Sequence, residues 1–186
     1  MPVEVEFSWA SETAKHIGTV VHRALQSMAE DGLERWNPAR RVSMRAMFAR
    51  DLRGLGVPGS ELDRALARVA AAVDGALADD RARWLLADHA DARSEWRLTG
   101  MLEGGIVDVA IDRSFVDGEG VRWIVDYKTG MHEGADPERF LDNERELYRV
   151  QLERYAALMR QFEARPIRLA LYFPLMSGWR EWAAPV

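Results

Sequence analysis

The chain has 186 residues, of which 48% are apolar, so it is long enough for one domain with a core and, at most, a helical extension. It contains no cysteine, which excludes disulfides, cysteine-bound zinc and iron–sulfur clusters, and its formal net charge of −5 argues against tight, unaided nucleic-acid binding. No apolar run approaches the ~20 residues of a membrane span and no signal peptide precedes the domain, so we expect a cytoplasmic protein without a membrane partner.

The first half of the chain, residues 1–90, is predicted to be mainly helical. Residues 1–10 look irregular, and a helix is predicted from Thr13 to about Glu30 because apolar residues recur there at spacings of three and four. His22 lies next to this apolar stripe. Further helices are predicted from Val42 to about Arg53, from an N-cap at Ser60 to about Leu77, and over residues 80–88.

The second half, residues 91–186, alternates in the manner of strands and forms an αβ core with one long helix. Residues 113–120 and 131–142 are predicted to be loops. The predicted strands are Ala92–Thr99, Gly104–Asp112, Val121–Lys128, Ile167–Phe173 and Gly178–Ala183, and the helix runs from Asn143 to about Glu163. We therefore predict a single domain over residues 1–186.

The third predicted strand ends in Asp126-Tyr127-Lys128-Thr129-Gly130. Asp126 and Lys128 are two residues apart, so both side chains point to the same side of the strand. If the second and third strands form a hairpin, Asp108 can lie beside Asp126 on that face. Two neighbouring carboxylates repel each other unless a cation lies between them, and hard divalent cations prefer oxygen ligands. The pattern predicts a metal site at Asp108 and Asp126, with Lys128 orienting a bound water or stabilising developing negative charge.

Simpler interpretations of these residues stay open. An Asp-x-Lys pair is common on surfaces, where it stabilises a protein little. A histidine beside an apolar stripe is more often packed and hydrogen bonded in a core, and Asp108 could be a paired strand residue. The other histidines, His16, His89 and His132, match no motif and are predicted to be structural or exposed.

Four stretches together resemble one known family. They are Gly18-Thr19-Val20-Val21-His22, Gly105-Ile106-Val107-Asp108, Asp126-Tyr127-Lys128-Thr129-Gly130 and Gln151-Leu152-x-x-Tyr155. In this order they resemble the RecB-like branch of the PD-(D/E)xK nuclease superfamily, and they cover residues 18–155. The resemblance implies an α/β, restriction-endonuclease-like fold, a mixed β-sheet flanked by helices, here with a helical N-terminal half.

The resemblance also implies a chemistry and a set of site residues. The implied reaction is hydrolysis of DNA phosphodiester bonds with Mg²⁺ or Mn²⁺, by an exonuclease rather than an endonuclease. The side chains of His22, Asp108 and Asp126 and the backbone carbonyl of Tyr127 would bind the metal, and Lys128 would be the catalytic lysine. Gln151 and Tyr155 would face the site and position DNA or the lysine, and Glu95 is a looser match to an acidic residue on the first core strand of some members.

Members of this branch often form the C-terminal part of helicase–nucleases that process double-strand breaks, so the implied partners are DNA and a helicase domain of the same or another chain. The relatives that hold an iron–sulfur cluster use cysteines, which this chain lacks. Two alternatives remain: a non-catalytic DNA- or partner-binding module of the same fold, and a free-standing single-strand exonuclease. The presence of the matched residues favours an enzyme.

Overall fold

A computed structural model gives the structure of the protein over residues 3–131 and 136–185, with side chains described for residues 12–131 and 136–185. Within these ranges the chain forms five α-helices, one short 3-10 turn at Leu33–Arg35 and five β-strands. The helices are α1 (Val3–Asp31), α2 (Pro38–Gly54), α3 (Gly59–Ala78), α4 (Asp80–Leu85) and α5 (Pro137–Met159). The strands are β1 (Ala90–Leu102), β2 (Gly105–Val116), β3 (Arg122–Tyr127), β4 (Ile167–Phe173) and β5 (Gly178–Ala183).

The chain divides into two compact units. The first consists of Met1–Ala87 and Pro174–Ser177, and the second of Asp88–Phe173 and Gly178–Val186. In the first unit, α1 and α2 both pack against α3, and the apolar stripe predicted on α1 is buried, including Val21 and Leu25. Gly75 of α3 lies against the backbone of Pro174. A Cβ at Gly75 would be 2.5 Å from the Pro174 carbonyl oxygen, so only glycine fits.

Helix α1 begins earlier than the apolar pattern indicates. It begins at Val3, whereas the predicted start is Thr13 and residues 1–10 were expected to be irregular. Because no proline or glycine occurs between Val3 and Gly18, nothing interrupts the helix once its first turn has formed. The prediction of an irregular segment is therefore wrong for residues 3–10.

The second unit is built on a mixed sheet in which the strands follow the order β1-β2-β3-β4-β5. The pairs β1–β2, β2–β3 and β4–β5 are antiparallel, whereas β3 and β4 are parallel and are connected through α5, which packs on the sheet. Every residue of β3 and nearly every residue of β4 is buried, as expected for the central strands of a covered sheet. The predicted α/β, restriction-endonuclease-like architecture is confirmed.

The strands β1 and β2 are about twice as long as β3, so their hairpin continues past it. Only Arg113–Val116 of β2 pairs with β3, whereas Leu98–Val109 pairs only within the hairpin. We call Leu98–Val109 the hairpin arm. Its turn has positive φ at Glu103 and Gly104, 51° and 82°, which is the backbone of a tight two-residue hairpin turn.

Helix α5 begins at Pro137, six residues before the predicted start at Asn143. The side chain of Asp136 caps it by accepting a hydrogen bond from the Arg139 N–H, and a proline in the first turn suits a helix start. The predicted loop over residues 131–142 is therefore wrong from Pro137 onward, while residues 132–135, with His132, lie outside the described residues. Among the described helices, none is both long enough and apolar enough to cross a bilayer.

Candidate active site

The turn between β2 and β3 is held by one carboxylate. Asp117 accepts hydrogen bonds from the backbone N–H groups of Glu119 and Val121 and from the indole N–H of Trp123, at 2.7 to 3.0 Å. Burial alone would raise the pKa of Asp117, but these hydrogen bonds outweigh it and the pKa is lowered. The charged carboxylate therefore fixes the turn, and the turn fixes the register of the two strands.

That register brings Asp112 and Asp126 together. Arg113 of β2 lies opposite Val125 of β3, so the next residues along the two strands, Asp112 and Asp126, face each other. The N–H of Tyr127 donates a hydrogen bond of 2.7 Å to Oδ2 of Asp112. Because residues directly opposite each other point to the same face of a sheet, these two carboxylates share one face.

A third carboxylate, Glu95, extends this pair onto β1. Ser94 lies opposite Arg113, which places Glu95 opposite Asp112. Glu95 has a φ of 49°, a left-handed conformation that is uncommon for a residue with a side chain. Carboxylate oxygens of Glu95 and Asp112 lie within 4.8 Å of each other. Glu95, Asp112 and Asp126 thus form a row across three neighbouring strands, which we call the carboxylate row.

Lys128 lies at the end of this row. Its Nζ is 2.7 Å from Oδ2 of Asp126, and the two side chains are only 19% and 9% exposed. The same ammonium lies 3.5 Å from the centre of the Tyr148 ring on α5. One turn earlier on that helix, burial raises the pKa of Glu144, and the charge of Lys128 opposes this rise. The lysine is thus held between β3 and the helix that packs on it.

Gln151 and Tyr155 continue along α5. The Gln151 amide donates a hydrogen bond of 2.6 Å to the Tyr155 hydroxyl. The pKa of Tyr155 is raised, first by burial and then by the negative charges of Asp126 and Asp112, while the bond from Gln151 opposes the rise. The charges of the carboxylate row therefore act on the Tyr155 hydroxyl.

Asp108 does not lie beside Asp126. It is on the hairpin arm, where it pairs with Thr99 and accepts a hydrogen bond from the Thr99 hydroxyl. It is four positions before Asp112, a distance of about 13 Å along a strand. The expectation that Asp108 would meet Asp126 is wrong because β2 continues to Val116, so that the residue opposite Asp126 is Asp112.

Asp108 instead faces a cleft between the hairpin arm and α5. The cleft has a volume of about 440 Å³ and is also lined by Val107, Val109, Val150, Gln151, Arg154 and Tyr155. The structure therefore brings Asp108, Gln151 and Tyr155 together at this cleft, and Asp126 and Lys128 together at the carboxylate row. Tyr155 takes part in both places.

The other residues singled out in the sequence include His22, Tyr127 and His89. His22 is half-buried on α1 in the first unit. The side chain of Tyr127 is buried, which raises the pKa of its phenol, and its ring lies edge-on to that of Tyr172. Of the histidines that match no motif, His89 stacks on Phe115 with 4.2 Å between ring centres.

The carboxylate row fits a divalent cation. Three neighbouring carboxylates on one sheet face repel each other, and a bound cation would offset that repulsion. Carboxylate oxygens are the ligands that Mg²⁺ and Mn²⁺ take in proteins. Lys128 lies at one end of the row, where its Nζ is close to Asp126.

The sequence did not identify four residues of this site, namely Asp112, Asp117, Glu144 and Tyr148. A signal for Asp112 was present in the sequence. The stretch Asp117-Gly118-Glu119-Gly120 marks a tight turn, and counting the strand register outward from that turn places Asp112 opposite Asp126. Tyr148 and Glu144 gave no comparable signal, because their role depends on how α5 packs against β3.

Comparisons with known proteins identify the family of this chain. Residues 5–179 match the family model described as the PD-(D/E)XK nuclease superfamily. A solved structure titled "Crystal structure of SSO0001" is similar at 15% identity and a TM-score of 0.34, over 98% of this chain and 78% of that one. Among curated proteins, none matches. Because the family model spans nearly the whole sequence, the chain belongs to the PD-(D/E)XK nuclease superfamily.

Proposed function

We propose that the protein is a metal-dependent deoxyribonuclease that hydrolyses phosphodiester bonds. The observation that carries this proposal is the carboxylate row with Lys128 only 2.7 Å from Asp126. A site of this kind combines ligands for a divalent cation with a positive charge for a phosphoryl group. Structural ion pairs can also bury a carboxylate next to a lysine, but they do not need two further carboxylates beside it.

Asp112 and Asp126 would hold the cation, which we propose to be Mg²⁺ or Mn²⁺, with Glu95 as an additional oxygen ligand. His22 and the backbone carbonyl of Tyr127 would complete the set, a role supported by the sequence motifs in which they occur. Once bound, such an ion polarises a phosphoryl oxygen and lowers the pKa of a bound water. Asp112 keeps its orientation through the hydrogen bond from the Tyr127 N–H.

Lys128 would act on the attacking water or on the negative charge that develops at the phosphorus. A protonated lysine cannot bind a metal ion, but it can donate hydrogen bonds to phosphate oxygens. Tyr148 is a positioning residue in this proposal, because its ring attracts the ammonium electrostatically and limits where it can move. Asp126 attracts the same ammonium from the strand side.

Gln151 and Tyr155 would hold the substrate next to the row. Their side chains line the cleft beside the hairpin arm, and Tyr155 feels the charge of the row. A phenol and an amide can both donate hydrogen bonds to the sugar–phosphate backbone. Since they are joined by a hydrogen bond of their own, we expect them to act as one unit.

We further propose that the enzyme is a RecB-like exonuclease, linked to a helicase domain of the same or a partner chain and active in double-strand break repair. The motifs around His22, Asp126 and Gln151 support this subtype.

A cleavage assay on end-labelled DNA with Mg²⁺ or Mn²⁺, run beside calorimetric metal titration, tests the proposal. Lys128→Ala is expected to abolish cleavage and keep the metal, because lysine is not a ligand. Asp126→Ala is expected to abolish both. If Lys128→Ala cleaves DNA like the parent, the nuclease proposal is wrong, and a non-catalytic DNA- or partner-binding module becomes the better description.

A further inference from the structure

Helix α2 is basic in an acidic chain. Its 17 residues include five arginines and one aspartate, which gives a formal charge of +4, while the whole chain has a formal net charge of −5. The charge is therefore distributed unevenly along the sequence. A net charge that argues against unaided DNA binding does not describe this helix.

Two of the five arginines have structural roles within the first unit. Arg40 forms an ion pair with Asp31 at 2.5 Å, and Arg41 forms one with Asp74 on α3 at 2.6 Å. These pairs connect α2 to its neighbours α1 and α3. Their guanidinium charges are largely satisfied inside the protein.

The other three arginines face solvent. Arg45 and Arg53 are exposed, and neither has an ion pair with any residue in the part of the chain that the structure describes. The side chain of Arg50 is 77% exposed, and its acidic contact is with its neighbour in sequence, Asp51, at 3.6 Å. An exposed pair of that length stabilises a protein little, so all three guanidinium groups remain available to a partner.

The spacing of these three arginines suits a polyanion. Arg45 and Arg53 are eight residues apart, about 12 Å along a helix axis. One strand of DNA carries a negative charge about every 3.4 Å, so this distance spans several phosphates. Arginine is also the residue whose planar fork binds phosphate through two parallel hydrogen bonds.

We propose that the exposed face of α2, with Arg45, Arg50 and Arg53, binds the phosphate backbone of the DNA on which the enzyme acts. This inference rests on the proposed function, since DNA is its ligand. Backbone contacts of this kind carry no sequence information, so the surface would raise affinity for any DNA sequence. An acidic surface of a partner protein is the competing ligand, and the experiment separates the two.

The test compares two double variants of the full chain. Arg45→Gln/Arg53→Gln removes two charges from the exposed face of α2. Arg35→Gln/Arg64→Gln removes two exposed arginine charges elsewhere in the first unit and is the matched control. Binding of a fluorescein-labelled DNA duplex is measured by anisotropy in EDTA, over salt concentrations from about 50 to 200 mM. Thermal unfolding checks that both variants fold like the parent.

The slope of log Kobs against log salt is expected to become less steep by about 1.8 in the α2 variant, because each lost contact with duplex phosphate removes about 0.9. The control is expected to keep the parental slope. Equal slopes in all three proteins, an equal change in both variants, or no measurable binding by the parent would overturn the proposal. Equal slopes are also the result that an acidic protein partner would give.

Cleavage of the same duplex with Mg²⁺ or Mn²⁺ separates this inference from the proposed function. The α2 variant is expected to keep the parental kcat and to show a higher KM. If the parent does not cleave DNA, the proposed nuclease activity fails, whereas the salt slopes still decide whether α2 binds DNA. If cleavage succeeds and the slopes are equal, only the inference about α2 fails.

Discussion

The two halves of β2 each contain an aspartate but have different surroundings. The outer half, Gly105–Ala110, belongs mostly to the hairpin arm, while the inner half, Ile111–Val116, lies between β1 and β3. Each half carries an aspartate on the same face of the strand, Asp108 and Asp112. Asp108 lies opposite Thr99 and lines the cleft beside α5, whereas Asp112 has a carboxylate opposite it on either side. Asp112 belongs to the site because β1 and β3 flank it on both sides, whereas only β1 flanks Asp108.

The largest expected difference between the halves is catalytic. Asp112→Asn is expected to lower the single-turnover cleavage rate by about 10³-fold, because losing a charged metal ligand removes several kcal/mol of electrostatic stabilisation. Asp108→Asn changes the same strand and face but lies in the substrate cleft and not in the carboxylate row, so it is expected to weaken DNA binding and to keep the single-turnover rate at saturating DNA within about 2-fold of the parent. Asparagine can still accept the hydrogen bond from the Tyr127 N–H, so the strand pairing persists. Equal losses in the two variants would contradict this contrast.

The sequence predicts correctly on which face of the sheet each aspartate lies, but not which residue lies opposite it on the neighbouring strand. Alternation along β2 puts Asp108 and Asp112 on one face, in agreement with the register. The error came from the hairpin loop, which was predicted over residues 113–120 although the turn begins only at Asp117. Residues Arg113–Val116 are buried strand, and because polar residues such as Arg113 and Ser114 interrupt the apolar run, composition did not indicate that β2 continues.

The helix side of the site was less predictable. The spacing of Gln151 and Tyr155 indicates a shared helix face, and their hydrogen bond agrees with it. The sequence predicts that the helix begins at Asn143, which places Glu144 and Tyr148 in its first two turns. Nothing in the sequence indicates which residues they contact. The contact of Tyr148 with Lys128 joins residues 20 positions apart and is set by the packing of α5 on the sheet, which sequence periodicity does not specify.

The second prediction concerns stability and uses the isoleucines of the two halves. Ile111 is 1% exposed, so Ile111→Ala is expected to lower the free energy of unfolding by about 2–5 kcal/mol. Ile106 is 77% exposed on the arm, and Ile106→Ala is expected to change it by less than about 0.5 kcal/mol. Urea unfolding of both variants and the parent measures the difference. A large loss from Ile106→Ala would show that the arm is covered in solution.

The third prediction tests whether Tyr148 of α5 contributes to catalysis at the carboxylate row beside the inner half of β2. Tyr148→Leu is expected to lower kcat by about tenfold, since a partly desolvated cation–π contact is worth about 1–2 kcal/mol, and to leave metal affinity unchanged. Tyr148→Phe keeps the ring and is expected to keep the parental kcat. A merely structural role would instead lower the thermal stability of Tyr148→Leu and its kcat together. An equal loss of kcat in both variants would show that the hydroxyl, and not the ring, is what matters.

The smallest expected effect is at Asp117, whose turn sets the register that separates the two halves. Asp117→Asn is expected to lower the free energy of unfolding by about 1–2 kcal/mol at neutral pH, because hydrogen bonds to a charged acceptor are stronger than those to a neutral one. Asp88→Asn is the control, since Asp88 is exposed. Within the described residues, Asp88 accepts no hydrogen bonds comparable with those at Asp117. Urea unfolding from neutral pH down to about pH 3 measures both.

The pH dependence of that difference has a definite sign. The pKa of Asp117 is lowered in the folded state, so its carboxylate contributes stability that is fully present above the unfolded-state pKa of about 3.9. This contribution is lost as the pH falls through the lower, folded-state pKa, where both states become protonated. The difference between the parent and Asp117→Asn should therefore shrink below about pH 4 and stay constant above it. A difference that persists on acidification would mean that the charge of Asp117 does not hold the turn, and the pairing of Asp112 with Asp126 would then depend on the strand contacts alone.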